Sequence, residues 1–474
     1  MDNLDGILVN AISPNNEIRN KASSQLLSLV LDQQLLELSY SYFLDQKYGI
    51  NQKKLLATVI KNYVSKYLVS TFFFLNFLFK NLDSDEARAA NQKIMTPEAI
   101  TLFKKMSLAL IEVAGSELTP LIRQWIEIIY TENKGYMMIW RELAQSLSAM
   151  LDKKNYFLSS EIYELVATIT NRYTEELKSY VLFEEIIDCM NNFCAKMTND
   201  ANMLIQHFLN TNLNLNDTIN NEIYLKILKN IIQIAFNFNY QDFPEFFEDN
   251  LETWIKILYN TCTLVTKPIA STNPRSTIEV NYQSLKMLNI YISNYYEDIK
   301  KYADAFQEPI WTLFNSINLS NNLNEKINLE LLEYYKIMFM IKKINLNQEK
   351  VNTLITKLIF PNLNLTDKEI EDFEENEVAF MKSEIEEIED QTSKSNAISL
   401  LKIINSQFDD LYTQIVKPYY SQLLQSYTAD PKNNWRNKIS AINMIFSTII
   451  QVFSTTCKLI TLILIKIIKM VYRT

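Results

Sequence analysis

The stretch Glu222–Phe238, EIYLKILKNIIQIAFNF, carries the pattern that decides the fold. Ile223, Ile227, Ile231, Ile234 and Phe238 recur at steps of three and four, which places them on one slowly drifting stripe of an α-helix. Outward from this stretch, apolar residues keep the same spacing along almost the whole chain. The segments run about 12 to 20 residues between short polar turns, such as SPNN from Ser13, TNDAN from Thr198 and STNPR from Ser271. A helix, a short turn and a second helix make a unit of about 40 to 47 residues, the size of a HEAT or armadillo repeat. A chain of 474 residues would hold roughly ten or eleven of them. The expected fold is therefore all-α, a HEAT-repeat α-solenoid in which antiparallel helix pairs stack into a superhelix.

Composition excludes the alternatives to helix. Only 4 Gly and 10 Pro occur in the chain, against average usages of about 7% and 5%, too few for the turns of hairpins and sheets. With 48% hydrophobic residues, including 26 Tyr and 25 Phe, the chain has ample apolar surface to order itself.

The absences bear on function. His207 is the only histidine, so multi-histidine metal sites are excluded and a Ser/His/Asp triad could pass only through that residue. Its setting, MLIQHFL, reads as a structural position on an amphipathic helix. Gly6, Gly49, Gly115 and Gly135 are too scattered to cradle phosphate. Cys189, Cys194, Cys262 and Cys457 have neither C-x-x-C spacing nor a ligand cluster, so reduced buried thiols are expected. No catalytic residue, metal or cofactor is anticipated. The net charge of −9 disfavours nucleic acid as a direct partner and suits basic proteins better. The N-terminus, opening with Asp2 and Asp5, lacks the features of a signal peptide, which points to the cytosol or nucleus.

Three places depart from the regular pattern. Leu363–Asp390 is densely acidic and opens on a Thr-Asp-Lys-Glu start that reads as a helix cap; it is either a solvated face or an acidic contact surface. Lys267–Arg275 carries two prolines and reads as a loop or repeat boundary. Ile439–Cys457 is a run of 19 uncharged residues, long enough to cross a bilayer, but eight of them are Ser, Thr, Asn or Gln. Lys458, Lys466 and Lys469 interrupt the apolar run that follows, so two packed helices are the better reading and a membrane anchor its rival.

Two motifs near the start, ISPNNEIRNKASSQLLSL (Ile12–Leu29) and LLATVIKNYV (Leu55–Val64), resemble the N-terminal domain of the importin-β (karyopherin-β) superfamily. Ser13 or Asn15 can cap the helix that follows SPNN. Leu165–Phe193 and Phe236–Tyr259 are similar to one branch of it, the cellular apoptosis susceptibility family of importin-α re-exporters. The string Gln241, Asp242, Pro244, Glu245, Phe246, Phe247, Glu248, Asp249, Asn250 carries that similarity most strongly. Leu365–Glu387 is similar to the family's acidic insertion, and Thr428–Ile445 to the Trp-Arg-x-Lys segment after it. There are departures. GYMMIWRELAQ (Gly135–Gln145) keeps Trp140 but lacks the family's Asp-Phe-Pro, and no arginine pair stands near Met381 and Lys382. Family members continue well past this length, so the resemblance implies a C-terminally shortened member.

The resemblance implies a nuclear export receptor that binds importin-α together with Ran-GTP in the nucleus, meets nuclear pore proteins and shuttles back to the cytoplasm, as a monomer with no enzymatic activity. It implies that Lys61, Asn62 and Tyr63 lie on the Ran side and that Glu369, Glu371, Asp372, Glu374 and Glu375 form an acidic surface toward partners. The implied divisions are 1–70 as the N-terminal domain, 71–362 as exportin-type repeats, 363–392 as the acidic insertion and 393–474 as further repeats. A generic HEAT scaffold, a non-functional shortened exportin and a membrane-anchored helical protein stay open beside it.

Overall fold

The computed structural model describes residues 2–28, 33–78, 97–131, 140–210, 213–317, 325–364, 367–376, 392–408 and 412–449. Among these residues every regular element is helical. The chain divides into two compact units, Met1–Leu251 and Glu252–Thr474.

In the first unit, helices alternate between two layers. Gln33–Leu44, Pro97–Val113, Leu143–Leu151 and Tyr180–Leu209 pack in sequence along one layer; Ile50–Leu78, Thr119–Thr131, Tyr156–Asn171 and Thr218–Asn239 pack along the other. Each helix thus meets its pair mate and the corresponding helices of adjacent repeats, the arrangement of a solenoid. This explains a departure from the one-faced stripe read in Glu222–Phe238. Leu225, Leu228, Ile232 and Ala235 are buried along with Ile227, Ile231, Ile234 and Phe238, because a second-layer helix is covered on several sides at once.

The second unit repeats the scheme. Pro274–Asn294, Glu325–Met340, Ser393–Gln407 and Trp435–Ile449 stack in order, with Leu251–Cys262, Gln307–Ser316, Gln348–Leu354 and Lys417–Ala429 as the first members of the pairs. The architecture is the expected all-α HEAT-repeat solenoid.

Local chemistry sets the helix ends. Asn15 accepts hydrogen bonds from the N–H groups of Glu17 and Ile18, at 2.9 and 3.4 Å, and Ser13 accepts from Asn15, so the SPNN turn caps as expected. Asn155, Ser179 and Asn347 do the same for their helices, and Thr392 with Ser395 forms a reciprocal capping box. STNPR is the expected boundary, with Pro274 at the first turn of its helix.

TNDAN from Thr198 is not a turn: it lies inside the 30-residue helix Tyr180–Leu209. Phe193, Met197, Ala201 and Leu204 carry the buried face straight through it. Its polar groups are satisfied in place, Thr198 donating to the Cys194 carbonyl at 2.9 Å and Asp200 accepting from the Tyr163 hydroxyl at 2.6 Å. Two π-turns also break the regular register, Ile355–Ile359 and Tyr412–Val416. Each is followed after one residue by a proline, Pro361 and Pro418. A proline inside a helix lacks the N–H and crowds the carbonyl four residues back, and widening the preceding turn relieves both problems.

No helix among the described residues is long and apolar enough to cross a membrane. Trp435–Ile449 is a helix of 15 residues, and 450–474 lie outside the described residues, as do Cys457 and Lys458, Lys466 and Lys469.

Candidate partner-binding surfaces

Lys61, Asn62 and Tyr63 sit on the helix Ile50–Leu78 beside the buried residues Ala57, Ile60 and Val64. They do not face one way. Lys61 Nζ donates to Gln124 Oε1 at 3.3 Å, tying this helix to Thr119–Thr131, which is also held by the Trp125 indole N–H donating to the Ala57 carbonyl at 3.0 Å. Tyr63 is half-buried, and Asn62 is the exposed member of the three.

The acidic segment forms a short helix, Asp367–Glu375. Ile370 is its buried anchor, and Glu369 pairs with Lys394 at 2.6 Å, fastening it to the start of Ser393–Gln407. Glu371, Asp372 and Glu375 are exposed, and Glu374 lies on the same helix. The expected helix start is at Asp367, while Thr366 and residues 377–391, including Met381 and Lys382, lie outside the described residues.

The string Gln241–Asn250 is a clip. The Gln241 side-chain amide donates to the carbonyls of Tyr173 and Glu176 at 2.6 and 2.8 Å, while its own carbonyl accepts from Lys178 Nζ at 3.0 Å. Pro244 opens the short helix Glu245–Asp249, Phe247 is fully buried against Phe238 and Phe246, and Asn250 Nδ2 donates back to the Phe246 carbonyl at 2.8 Å. Asp242, Glu245, Glu248 and Asp249 remain exposed.

His207 packs edge-on against Phe208 and Tyr224, and its Nε2 lies 3.4 Å from Asn221 Oδ1. Cys189, Cys194 and Cys262 are buried and outside any disulfide; burial pushes the Cys262 thiol up to about 12 and raises that of Cys194 as well, so neither of these two is a nucleophile near neutrality. Among the described residues no cluster of His, Cys, Asp and Glu could hold a metal ion.

Two half-buried polar ladders across second-layer helices escaped the sequence reading. In the first unit, Arg123 reaches Glu164, and Lys226 reaches Glu161 at 2.9 Å and Glu164, linking Thr119–Thr131, Tyr156–Asn171 and Thr218–Asn239. Burial alone would raise the Glu164 carboxyl, but Lys226 and Arg123 outweigh it and hold the group below its ordinary range. In the second unit, Asn289 donates to the side chain and carbonyl of Glu330, both at 2.9 Å, and Lys336 contacts Glu333 and Asn396. A signal was present: Ile126, three residues after Arg123, and Thr119, four before it, share its side of the helix and are buried, so a charge on that face has to enter the core.

A sequence profile of the Cse1 family matches residues 169–470, well over half of the chain. The chain belongs to the Cse1 family. The match takes in the Gln241–Asn250 clip, both ends of the acidic segment and the Trp435–Ile449 helix. Among curated relatives, Exportin-2 of Bos taurus and of Homo sapiens are each 24% identical over 319 residues, which is 65% of this chain and 32% of those proteins. Exportin-2 of Danio rerio is 23% identical over 391 residues, 80% of this chain and 39% of that protein. The chain thus spans about a third of the length of the curated relatives it matches. The solved structure of the exportin Cse1 in its cargo-free, cytoplasmic state superposes with a TM-score of 0.71 at 18% identity, covering 94% of this chain and 46% of that one. The likeness establishes the Cse1-type solenoid fold.

Proposed function

We propose that this Cse1-family chain is a nuclear export receptor that binds importin-α together with Ran-GTP in the nucleus and returns it to the cytoplasm, passing nuclear pore proteins on the way. The observation that carries this reading is the family match over residues 169–470, within which the Gln241–Asn250 clip is built and anchored. Relatives named as exportins support it further.

The mechanism on this reading is coupled binding. A stack of repeats that touch only their neighbours can shift between conformations of similar energy. Ran-GTP and importin-α then stabilise the same conformation, each strengthening the other by the same factor. Hydrolysis of GTP on Ran removes one of the two ligands and releases the other. Asn62, with Lys61 and Tyr63 beside it, faces Ran. Glu371, Asp372, Glu374 and Glu375 face basic partner surfaces, with Glu369 holding their helix in place through Lys394. The divisions at 70, 362 and 392 mark the N-terminal, repeat and acidic parts of this receptor.

A pull-down with importin-α, run with Ran locked in its GTP form and separately with Ran-GDP, tests the reading. Retention of importin-α only with the GTP form is expected. Retention in neither state leaves a HEAT scaffold and removes the export function.

A further inference from the structure

The start of the helix Tyr180–Leu209 and the turn before it carry large apolar side chains turned to solvent. Leu177 is 91% exposed, Tyr180 75%, Phe183 59%, Ile187 42% and Val181 41%. On the helix, Tyr180, Phe183 and Ile187 follow steps of three and four and make one ridge, while Leu182, Glu185 and Cys189 are buried on the opposite face. Leu177 stands in the turn just before this helix, and the Lys178 bond to the Gln241 carbonyl fixes that turn against the clip at Gln241–Asn250. Together these side chains expose on the order of several hundred Å² of apolar surface, a size at which such a patch on a soluble protein marks a contact site.

The exposed charges nearby are acidic. Glu175 and Glu184 are exposed on the turn and the helix, with the Tyr180 hydroxyl bonded to Glu184, and Asp242, Glu245, Glu248 and Asp249 are exposed on the clip that Lys178 ties to that turn. Against them stand Lys178, committed to the clip, and Arg172, committed to Glu176 and Glu185. Residues 236–250 contain no Lys or Arg. An anionic lipid surface or a nucleic acid would be repelled by these acidic residues.

We infer that this strip docks a basic amphipathic helix of a partner protein, whose apolar side chains lie on Tyr180, Phe183, Ile187 and Leu177 and whose Lys or Arg residues meet these acidic residues. The two helices would pack face to face, with the charges setting orientation and the apolar anchors supplying affinity. Arginines over the Tyr180 and Phe183 rings gain a further cation–π contact. The surface is distinct from the residues assigned to Ran and to the acidic helix, and its existence does not depend on the export reading.

The test uses the full chain and a fluorescent leucine–lysine amphipathic peptide of about four helical turns, with a leucine–glutamate peptide of the same pattern as the control. Binding of the lysine peptide alone is expected, weakened about tenfold or more by Phe183→Ser with Ile187→Ser and by Glu184→Lys with Glu245→Lys, and weakened by added salt. Glu371→Lys with Asp372→Lys, on the other acidic surface, is expected to leave it unchanged. These positions are exposed, so circular dichroism and melting should match the parent; Leu177→Ser, in a turn, gives the same readout if the helix variants do not. No binding, equal binding of the glutamate peptide, equal loss from the Glu371 and Asp372 changes, or capture by anionic vesicles in place of the peptide would overturn the inference.

Discussion

Lys154 and Lys342 stand in the left-handed region, with φ of 53° and 55°, where glycine is the usual occupant. At Lys342 the turn closes fully: Lys343 N–H reaches the Met338 carbonyl and Lys342 N–H that of Phe339, both at 3.1 Å, the double bond of a Schellman end. A chain with 4 glycines in 474 residues fills such positions with residues that strain there. Lys342→Gly is therefore expected to raise stability by about 0.5–1 kcal/mol, since the left-handed strain relieved exceeds the entropy added to the unfolded chain; a denaturant midpoint moved upward with unchanged slope checks it. Glu330 offers a pH readout. Burial between Pro274–Asn294 and Glu325–Met340 raises its carboxyl to about 7 from 4.5, against the opposing pull of Asn289 and Lys286 and with help from Glu333. The unfolded carboxyl ionises near 4.5 while the folded one keeps its proton to about 7, so between these values the folded state binds more protons. The stability contributed by Glu330 is full below about pH 4.5 and is lost as the pH rises through about 7. Glu330→Gln should flatten that slope, with a difference on the order of 2 kcal/mol between pH 5 and pH 8; parallel stability–pH curves for the two proteins would contradict it.

Among the elements, the clip at Gln241–Asn250 and the Arg123–Glu161–Glu164–Lys226 ladder hold successive repeats together. Gln241→Ala leaves the Tyr173 and Glu176 carbonyls without their donor and is expected to cost about 1–3 kcal/mol. Phe247→Ala, opening a cavity beside Phe238, should cost about 3–5 kcal/mol. Glu161→Gln leaves Lys226 short of one partner and should cost about 1 kcal/mol, because Lys226 is 34% exposed and keeps Glu164. Chemical denaturation of each variant measures these losses. The helices themselves were legible because apolar spacing survives divergence, as in Glu222–Phe238 and at the SPNN cap. TNDAN misled because a cluster of small polar residues looks like a turn until the partners of Thr198 and Asp200, one of them on another helix, are known. The π-turns were hidden for a similar reason: Pro361 and Pro418 signal a break, but whether the helix stops or widens depends on what packs around it.

For the molecule as a whole, composition alone pointed away from sheet, from multi-histidine metal sites and from glycine-loop phosphate sites, because four scattered glycines and one histidine cannot supply them. The family was legible from Gln241–Asn250, a string that periodic packing does not require, and the structure gives that string a role in joining repeats. Partner surfaces were less legible. Of Lys61, Asn62 and Tyr63 only Asn62 is exposed, since which side of a helix faces solvent depends on neighbouring repeats such as the one that brings Gln124 to Lys61. The exposed ridge at Tyr180, Phe183 and Ile187 reads in sequence as one more packed stripe, and the structure alone turns it outward. The measurement that bears most directly on the export reading is the affinity of this chain for importin-α, determined by calorimetry at fixed salt with saturating Ran-GTP and again with Ran-GDP. Coupling of the usual allosteric size, about 1–3 kcal/mol or roughly 5- to 150-fold tighter binding with Ran-GTP, is the expected result. Equal affinity in the two nucleotide states would contradict it.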